Sequence, residues 1–141
     1  MKTDPEVRTR RRVLVVEDNP VNLELASAIL EDLGCEVVVA STGDAALRML
    51  ASVRPDLILM DVQLPGIDGY ETTRAIKALP AGAAIPVVAV TAHAMTHEHV
   101  RAHEAGCSAF LTKPIDVRLF TKTVRRFLAE APGDACGDRI P

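Results

Sequence analysis

The chain has 141 residues, of which 48% are hydrophobic and 25% are charged, and its formal net charge is −3. This size suits one domain with its own hydrophobic core, and the composition is ordinary for a globular fold. The weak negative charge speaks against nucleic acid and against an anionic membrane as partners. No apolar run approaches the roughly 18 residues that a membrane span needs, and the start lacks the apolar region of a secretory signal, so we expect no membrane insertion.

The cysteine pattern indicates the cellular compartment. The three cysteines, Cys35, Cys107 and Cys136, form no CxxC pair, and their odd number leaves one unpaired. This pattern is typical of the reducing cytoplasm rather than of a disulfide-bonded secreted fold. We therefore expect a cytoplasmic protein.

Five short aliphatic runs alternate with helical patterns along the chain. The predicted strands are VLVVE (13–17), EVVVA (36–40), DLILMD (56–61), PVVAV (86–90) and SAFLT (108–112). The first four are apolar without strict alternation, which is typical of strands buried on both faces of a parallel sheet. The alternation predicts an α/β fold, a doubly wound (βα)5 sheet with helices on both faces.

The helical patterns differ in strength. The first helix has apolar residues at Leu23, Ala26, Leu30 and Leu33 before a stop at Gly34, and the last has them at Val117, Phe120, Val124, Phe127 and Leu128. The fourth, MTHEHVRAHEA (95–105), offers only Met95, Val100 and a few alanines as an apolar stripe. We expect this helix to be loosely packed and to open locally at low cost.

Both ends differ from the middle in composition. Residues 1–11 are polar and end in a basic run, and residues 131–141 are rich in Pro, Gly and Asp. We expect flexible arms there and one domain over residues 12–130. The basic run Arg8, Arg10, Arg11 and Arg12 is interpreted as part of a solvated arm rather than an RNA or lipid site, and Cys136 as a bystander rather than a reactive thiol.

Acidic, hydroxyl and ammonium side chains follow the predicted strands. In a parallel α/β sheet, ligands bind at the carboxyl ends of the strands. The residues that fall there are Glu17, Asp18, Asp61, Thr91 and Lys113. Carboxylates about 4 Å apart repel by about 4 kcal/mol per pair at an effective dielectric near 20. Either one acid is protonated, or a divalent cation such as Mg²⁺ binds among them.

Phosphoryl transfer would use all of these groups. A carboxylate such as Asp61 attacks phosphorus in line, and Mg²⁺, Lys113 and the Thr91 hydroxyl hold the three equatorial oxygens as charge develops. The sequence thus predicts Asp61 as the phosphoryl acceptor, positioned by its apolar strand.

The segments VVEDN, LILMDVQLPGIDGYE, PVVAVTAHA and FLTKPI together resemble the receiver domain of two-component response regulators. The resemblance covers roughly residues 12–130 and is strongest to the stand-alone cell-division and polarity regulators of alphaproteobacteria and to receivers of hybrid kinases. It implies a flavodoxin-like sheet of order 2-1-3-4-5. It also implies a signalling protein rather than an enzyme, although one that promotes its own phosphorylation and dephosphorylation.

The resemblance implies a role for each matching residue. Asp61 matches the phosphoryl acceptor; Asp18, Asp61 and the backbone carbonyl of Gln63 match Mg²⁺ ligands, and Glu17 acts through metal-bound water. The phosphate-binding and switch positions are Thr91, Ala92, Lys113 and Phe110. Phe110 occupies a position that is more often tyrosine, so only rotation of the ring remains for the switch.

Other positions carry supporting roles in the resemblance. Gln63 and His93 tune the lifetime of the phosphoryl group. Pro65, Gly69 and Pro114 are structural, and the Lys113–Pro114 bond is expected to be cis.

The resemblance further implies partners. A histidine kinase or a histidine phosphotransfer protein donates the phosphoryl group, and a downstream protein binds the face formed by the fourth helix, fifth strand and fifth helix. We expect a monomer or a phosphorylation-dependent homodimer, without a DNA-binding or enzymatic output domain.

Several other interpretations compete with these. A haloacid-dehalogenase-like enzyme needs a second aspartate where Gln63 stands, and an FMN carrier needs a Ser/Thr/Gly-rich loop instead of EDNPVN. A pseudo-receiver would bind partners without phosphorylation. The histidines His93, His97, His99 and His103 do not meet the HExxH pattern, so a solvated helix face is favoured over a metal site. Asp68 is predicted to be a helix cap.

Overall fold

The computed structural model describes residues 10–64, 66–92 and 96–129 of the chain. In these ranges five strands alternate with five helices. The strands are β1 (Arg12–Val16), β2 (Glu36–Ala40), β3 (Leu57–Asp61), β4 (Val87–Thr91) and β5 (Ala109–Thr112). The helices are α1 (Pro20–Asp32), α2 (Gly43–Met49), α3 (Gly69–Ala78), α4 (Thr96–Ala105) and α5 (Val117–Ala129). Each predicted strand is present, with ends displaced by at most one residue.

The strands form one parallel sheet in the order β2-β1-β3-β4-β5. This order confirms the predicted doubly wound (βα)5 fold. Because the chain reverses its direction of progress between β2 and β3, the carboxyl ends of β1 and β3 lie side by side and open a crevice there. No helix among the described residues is long and apolar enough to cross a membrane.

The central strands are buried on both faces, as their unbroken apolar runs predict. Val13 and Val15 of β1 pack with α1 and α5, whereas Leu14 and Val16 pack with α2 and α3. All five residues of β3 and all five of β4 are buried. At roughly 1.5–3 kcal/mol for each large side chain removed from water, these layers are the main stabilising contribution to the sheet.

The prediction that β2 is buried on both faces is wrong. Its burial pattern is mostly intermediate, and Val39 is 38% exposed. The physical reason is its place at the edge of the sheet, where helices cover only part of the strand. An apolar run is therefore not sufficient evidence of a central position.

Arg12 corrects the interpretation of the basic run. It is the first residue of β1, its Nε lies 3.3 Å from Oε1 of Glu36, and its backbone N–H donates to Oδ2 of Asp56 at 2.9 Å. The carbonyl of Arg11 also accepts a hydrogen bond from the N–H of Glu36. Both arginines are therefore anchored to the folded domain. Arg8 with the rest of residues 1–9, and the tail with Cys136, lie outside the described residues.

Capping residues define both ends of the first helix. Asn19 caps α1 by accepting from the N–H groups of Val21 and Asn22, and Pro20 occupies the first helical position. At the other end, Gly34 has φ 85°, a conformation that only glycine adopts without strain. The stop predicted at Gly34 is confirmed.

The fourth helix is lightly packed, through only part of its predicted apolar stripe. Val100 is 49% exposed, and the buried side chains among the described ones of α4 belong to two of the predicted alanines, Ala102 and Ala105. The prediction for Val100 is wrong because the helix turns its small residues towards the sheet. Met95 lies outside the described residues.

Candidate functional site

The carboxyl edge of the sheet brings the predicted polar side chains together. Asp61 and Thr91 are the last residues of β3 and β4. The N–H of Lys113 donates to the carbonyl of Thr91 at 2.7 Å, which aligns the end of β5 with the end of β4. Since all these strands are parallel, their side chains converge on one crevice.

Three carboxylates form the acidic part of this site. One oxygen from each of Glu17, Asp18 and Asp61 lies within 4.8 Å of the others. Glu17 and Asp61 are only 6% and 3% exposed, whereas Asp18 faces solvent. Two buried acids with an exposed third provide oxygen ligands on one side and room for water on the other. This arrangement fits a hard divalent cation.

Lys113 is the cation of the site. Its Nζ lies 3.3 Å from Oδ1 of Asp61 and 3.4 Å from Oε1 of Glu17. The same Oδ1 of Asp61 accepts a hydrogen bond from the N–H of Gln63 at 3.0 Å. Two contacts therefore define the orientation of the Asp61 carboxylate.

The pKa of the Glu17 carboxyl is raised, because Lys113 does not offset burial and the nearby charge of Asp61. Burial raises the pKa of the Glu17 carboxyl, and the negative charge of Asp61 raises it further, whereas Lys113 and the N–H of Asn19 lower it. The N–H of Asn19 donates to Oε2 of Glu17 at 3.2 Å. A further positive charge in the crevice would favour the ionised form of this acid.

Asn19 was missed in the sequence, although its signal is visible there. Its side chain caps α1 while its N–H holds Glu17, so one residue links the helix start to the acidic site. An asparagine directly before proline, here Asn19 before Pro20, is a typical helix start. Asp68 is a cap as predicted, with a complete capping box to Glu71 at the start of α3.

Gly69 sits directly beneath the acceptor strand. Its N–H donates to the carbonyl of Val62 at 3.2 Å, and a Cβ at this position would overlap the carbonyl oxygen of Asp61. The close approach of α3 to β3 therefore requires glycine. The Lys113–Pro114 peptide bond is cis, as the resemblance implies.

Phe110, the predicted switch position, has a neighbour that the sequence does not reveal. Phe110 stacks on His99 of α4, with ring centroids 4.0 Å apart and planes inclined by 28°. Phe110 is half-buried, Thr91 is fully buried and Ala92 is exposed. The stack joins α4 to β5 on the sheet edge beside the acidic site.

The histidines of α4 face solvent. His97, His99 and His103 are exposed, and none of them belongs to the acidic cluster that Glu17, Asp18 and Asp61 form within the described ranges. Their exposure agrees with the predicted solvated helix face. His93 and Pro65 lie outside the described residues.

This chain belongs to the family of response regulator receiver domains, and the sequence model of that family matches residues 13–125. The general function of that family is to accept a phosphoryl group in two-component signalling. The predicted family and fold are therefore confirmed. The family assignment decides against the haloacid-dehalogenase-like enzyme and the FMN carrier.

Two relatives show how such a domain occurs in nature. The chain is 40% identical over 121 residues to the polar-differentiation response regulator DivK of Brucella anthropi, covering 86% of this chain and 98% of DivK. It is 44% identical over 119 residues to the sensor protein GacS of Pseudomonas syringae pv. syringae, covering 82% of this chain but only 13% of GacS. The domain is thus similar both to a separate regulator and to one part of a much longer sensor protein.

Solved structures agree with the fold. The receiver domain of sensor histidine kinase PA1611 from Pseudomonas aeruginosa, which has a magnesium ion coordinated in its active-site cleft, is 36% identical. It has a TM-score of 0.79 and covers 85% of this chain and 98% of its own. The chemotaxis response regulator CheY4 of Vibrio cholerae is 28% identical with a TM-score of 0.80, covering 84% of this chain and 99% of its own.

Proposed function

We propose that Asp61 is the residue that accepts the phosphoryl group in this receiver domain. The observation that supports this best is the orientation of its carboxylate, held by the N–H of Gln63 and by Lys113 at the mouth of the crevice. The apolar strand behind it is fully buried, so the acceptor oxygen is fixed in position before the donor arrives.

The donor is a phosphohistidine of a histidine kinase or of a histidine phosphotransfer protein. An oxygen of Asp61 forms a bond to phosphorus as the phosphorus–nitrogen bond of the donor breaks. The electron pair of that bond stays on the imidazole nitrogen, which then takes up a proton. The product is an aspartyl phosphate on β3. The cysteine pattern supports a cytoplasmic location for this exchange.

The metal that fits the acidic crevice is Mg²⁺. Its direct ligands would be Asp18, Asp61 and the backbone carbonyl of Gln63, with Glu17 acting through metal-bound water. When bound, the ion neutralises charge that develops on the phosphoryl oxygens. The uncompensated acids of the crevice support this assignment, as does the magnesium ion in the related PA1611 receiver domain.

Thr91, Ala92 and Lys113 receive the new phosphoryl group. A phosphoryl group adds close to two negative charges and several strong acceptor oxygens. The Lys113 ammonium already lies 3.3 Å from Asp61, and Thr91 ends the neighbouring strand. These groups hold the phosphoryl oxygens, and the shift of Thr91 is passed to α4.

The response is a movement of α4 and of the Phe110 ring. Phe110 turns inward and leaves its stack with His99, which changes the face formed by α4, β5 and α5. A downstream protein reads this face, in a monomer or in a homodimer that forms on phosphorylation. Size-exclusion chromatography with and without phosphodonor measures that oligomeric state.

Gln63 and His93 set how long the phosphoryl group survives. Gln63 is exposed beside Asp61, where its side chain can control access of the attacking water. The domain then promotes both its own phosphorylation and its own dephosphorylation. If the variants Gln63→Ala and His93→Ala kept the wild-type lifetime, this role would be wrong.

Intact-mass analysis after incubation with acetyl phosphate tests the acceptor. We expect one phosphoryl adduct that requires Mg²⁺ and is absent in Asp61→Asn. Asp32→Asn, an exposed carboxylate at the end of α1, is the matched control and should be labelled like the wild type. No adduct on the wild type, with hydrolysis during the experiment controlled, would favour a pseudo-receiver. An adduct that persists in Asp61→Asn would place the acceptor elsewhere.

A further inference from the structure

A buried tyrosine joins α3 to α4. Tyr70 is only 2% exposed, and its hydroxyl donates to Oε1 of Glu98 at 2.6 Å and lies 3.4 Å from the carbonyl oxygen of the same residue. The Glu98 side chain is itself only 13% exposed. A short hydrogen bond to a carboxylate that is mostly shielded from water is among the stronger polar contacts in a protein.

Arg101, one turn further along α4, makes a second connection to α3. Its guanidinium carbon lies 4.5 Å from the centroid of the Tyr70 ring, and its nitrogens lie 3.8 Å from Oδ2 of Asp68 and 3.9 Å from Oε2 of Glu98. Two residues of α4, Glu98 and Arg101, thus contact the start of α3 at its cap Asp68 and at Tyr70. These polar contacts reach from one helix to the other, beyond the aliphatic packing.

The helices α3 and α4 differ in how firmly they are attached to the rest of the domain. The start of α3 is fixed to the acceptor strand, because Gly69 packs against the carbonyl of Asp61 and bonds to Val62. In α4 the buried side chains among the described ones, from residue 97 on, are the small Ala102 and Ala105. Aliphatic contacts alone therefore hold α4 weakly, and the polar contacts to α3 supply much of its attachment.

Tyr70 also shares its core cluster with the aromatic switch position. Val62, Tyr70, Ala89, Ala102 and Ala105 pack together, and Phe110 packs against them. A displacement of α4 that lets Phe110 turn inward changes the space around the Tyr70 ring. The hydrogen bond from Tyr70 to Glu98 is therefore a contact that a movement of α4 away from α3 would break.

We propose that Tyr70 and Asp68 on α3, with Glu98 and Arg101 on α4, form a latch that holds α4 in its unphosphorylated position. The latch sets the balance between the two states of the domain, so that weakening it populates the active state before any phosphoryl group is present. This inference rests on the proposed function, because it concerns the same switch.

The ligand in the test is beryllofluoride with Mg²⁺, a tetrahedral group that takes the place of a phosphoryl group on a carboxylate and does not hydrolyse. Binding to a state that is only partly populated is weakened by that fraction. Tyr70→Phe and Glu98→Gln should therefore bind beryllofluoride about 5-fold more tightly than the wild type, or better, by titration calorimetry. Glu104→Gln, an exposed acid on the same helix, is the matched control and should bind like the wild type.

The chain itself carries a reporter of the latch. It contains one tyrosine and no tryptophan, so its intrinsic fluorescence comes from Tyr70 alone. A hydrogen bond to a carboxylate quenches tyrosine emission. We expect the emission of the wild type to rise when beryllofluoride and Mg²⁺ are added, and that of Glu98→Gln to be raised from the start. The wild-type signal needs no substitution, so it stands even where a variant folds poorly.

Two results overturn the latch in different ways. If the wild type binds beryllofluoride but its emission does not change and both variants bind with wild-type affinity, the latch is wrong and the proposed function stands. If the wild type binds no beryllofluoride and gains no adduct from acetyl phosphate, the proposed function fails and the latch fails with it.

Discussion

Two neighbouring regions of the domain are held in opposite ways. The proposed acceptor region, 57–64 with 66–70, contains β3, whose residues are all buried, and Gly69, which lets α3 approach Asp61 closely. The proposed response region, 96–112, contains α4, whose buried side chains among the described ones are Ala102 and Ala105, and the strand that carries Phe110. The strand β3 is anchored by large aliphatic side chains, whereas α4 is held by small side chains and polar contacts.

This difference corresponds to two demands of a phosphoryl switch. Transfer to Asp61 needs an oxygen that is already in place, because misplacement of reacting atoms is costly in rate. Transmission of the signal needs an element that moves at low cost, and such elements have few buried apolar contacts. In the proposed function, the domain assigns the first demand to β3 and the second to α4 and β5, and it connects them through Thr91, Lys113 and the contacts of Tyr70.

Stability measurements give the largest contrast between the two regions. Ile58→Ala empties a fully buried site in β3 and should lower the free energy of unfolding by about 3–4 kcal/mol. Val100→Ala, at a residue 49% exposed on α4, should change it by less than about 0.5 kcal/mol. Urea denaturation monitored by circular dichroism measures both values. Similar losses in the two variants would remove the basis of the comparison.

Ionisation of Tyr70 tests how tightly α4 is held against α3. Burial raises the pKa of this phenol above its ordinary 10.0, and the Glu98 carboxylate raises it further. Since the folded-state pKa is the raised one, the folded protein favours the neutral phenol. The corresponding stability is fully present below pH 10 and is lost as the pH rises above it.

Ultraviolet absorbance of the tyrosinate follows this loss directly, because the chain has one tyrosine. We expect the absorbance to rise together with the loss of ellipticity rather than as an independent titration near pH 10. In Glu98→Gln the phenol should ionise at lower pH. A simple titration at the ordinary pKa in the folded wild type would contradict a tight contact between α3 and α4.

Replacement of Lys113 should have a smaller effect, confined to the acceptor region. Its ammonium group lies among the carboxylates and opposes a bound cation. Lys113→Ala should therefore bind Mg²⁺ about 5-fold more tightly, which corresponds to roughly 1 kcal/mol. Titration calorimetry measures this, with Lys122→Ala on the exposed side of α5 as the control. Unchanged or weaker Mg²⁺ binding would show that Lys113 does not compete with the metal.

The sequence was sufficient for most of the fold. Aliphatic runs marked β1, β3 and β4, since strands covered on both faces are mostly apolar along their length. The sequence also allowed the prediction that Glu17, Asp61 and Lys113 lie close together, because parallel strands end at a common edge of the sheet. These features depend on local sequence and on one topological rule.

The features that it could not predict depend on position within the fold. β2 has the same kind of apolar run as β1, yet it lies at the edge of the sheet and is partly exposed. The stack of His99 on Phe110 and the hydrogen bond from Tyr70 to Glu98 join residues from different elements. Their geometry follows from how α4 is oriented on the sheet, which no local pattern specifies.

Hydrogen exchange across the chain tests most directly the claim that the acceptor region holds still while the response region moves. With Mg²⁺ and beryllofluoride, we expect exchange to change in residues 96–112 and to stay the same in β3, residues 57–61. Neither change should occur in Asp61→Asn. Equal changes in both regions, or no change in residues 96–112 when the ligand is bound to the wild type, would contradict the account.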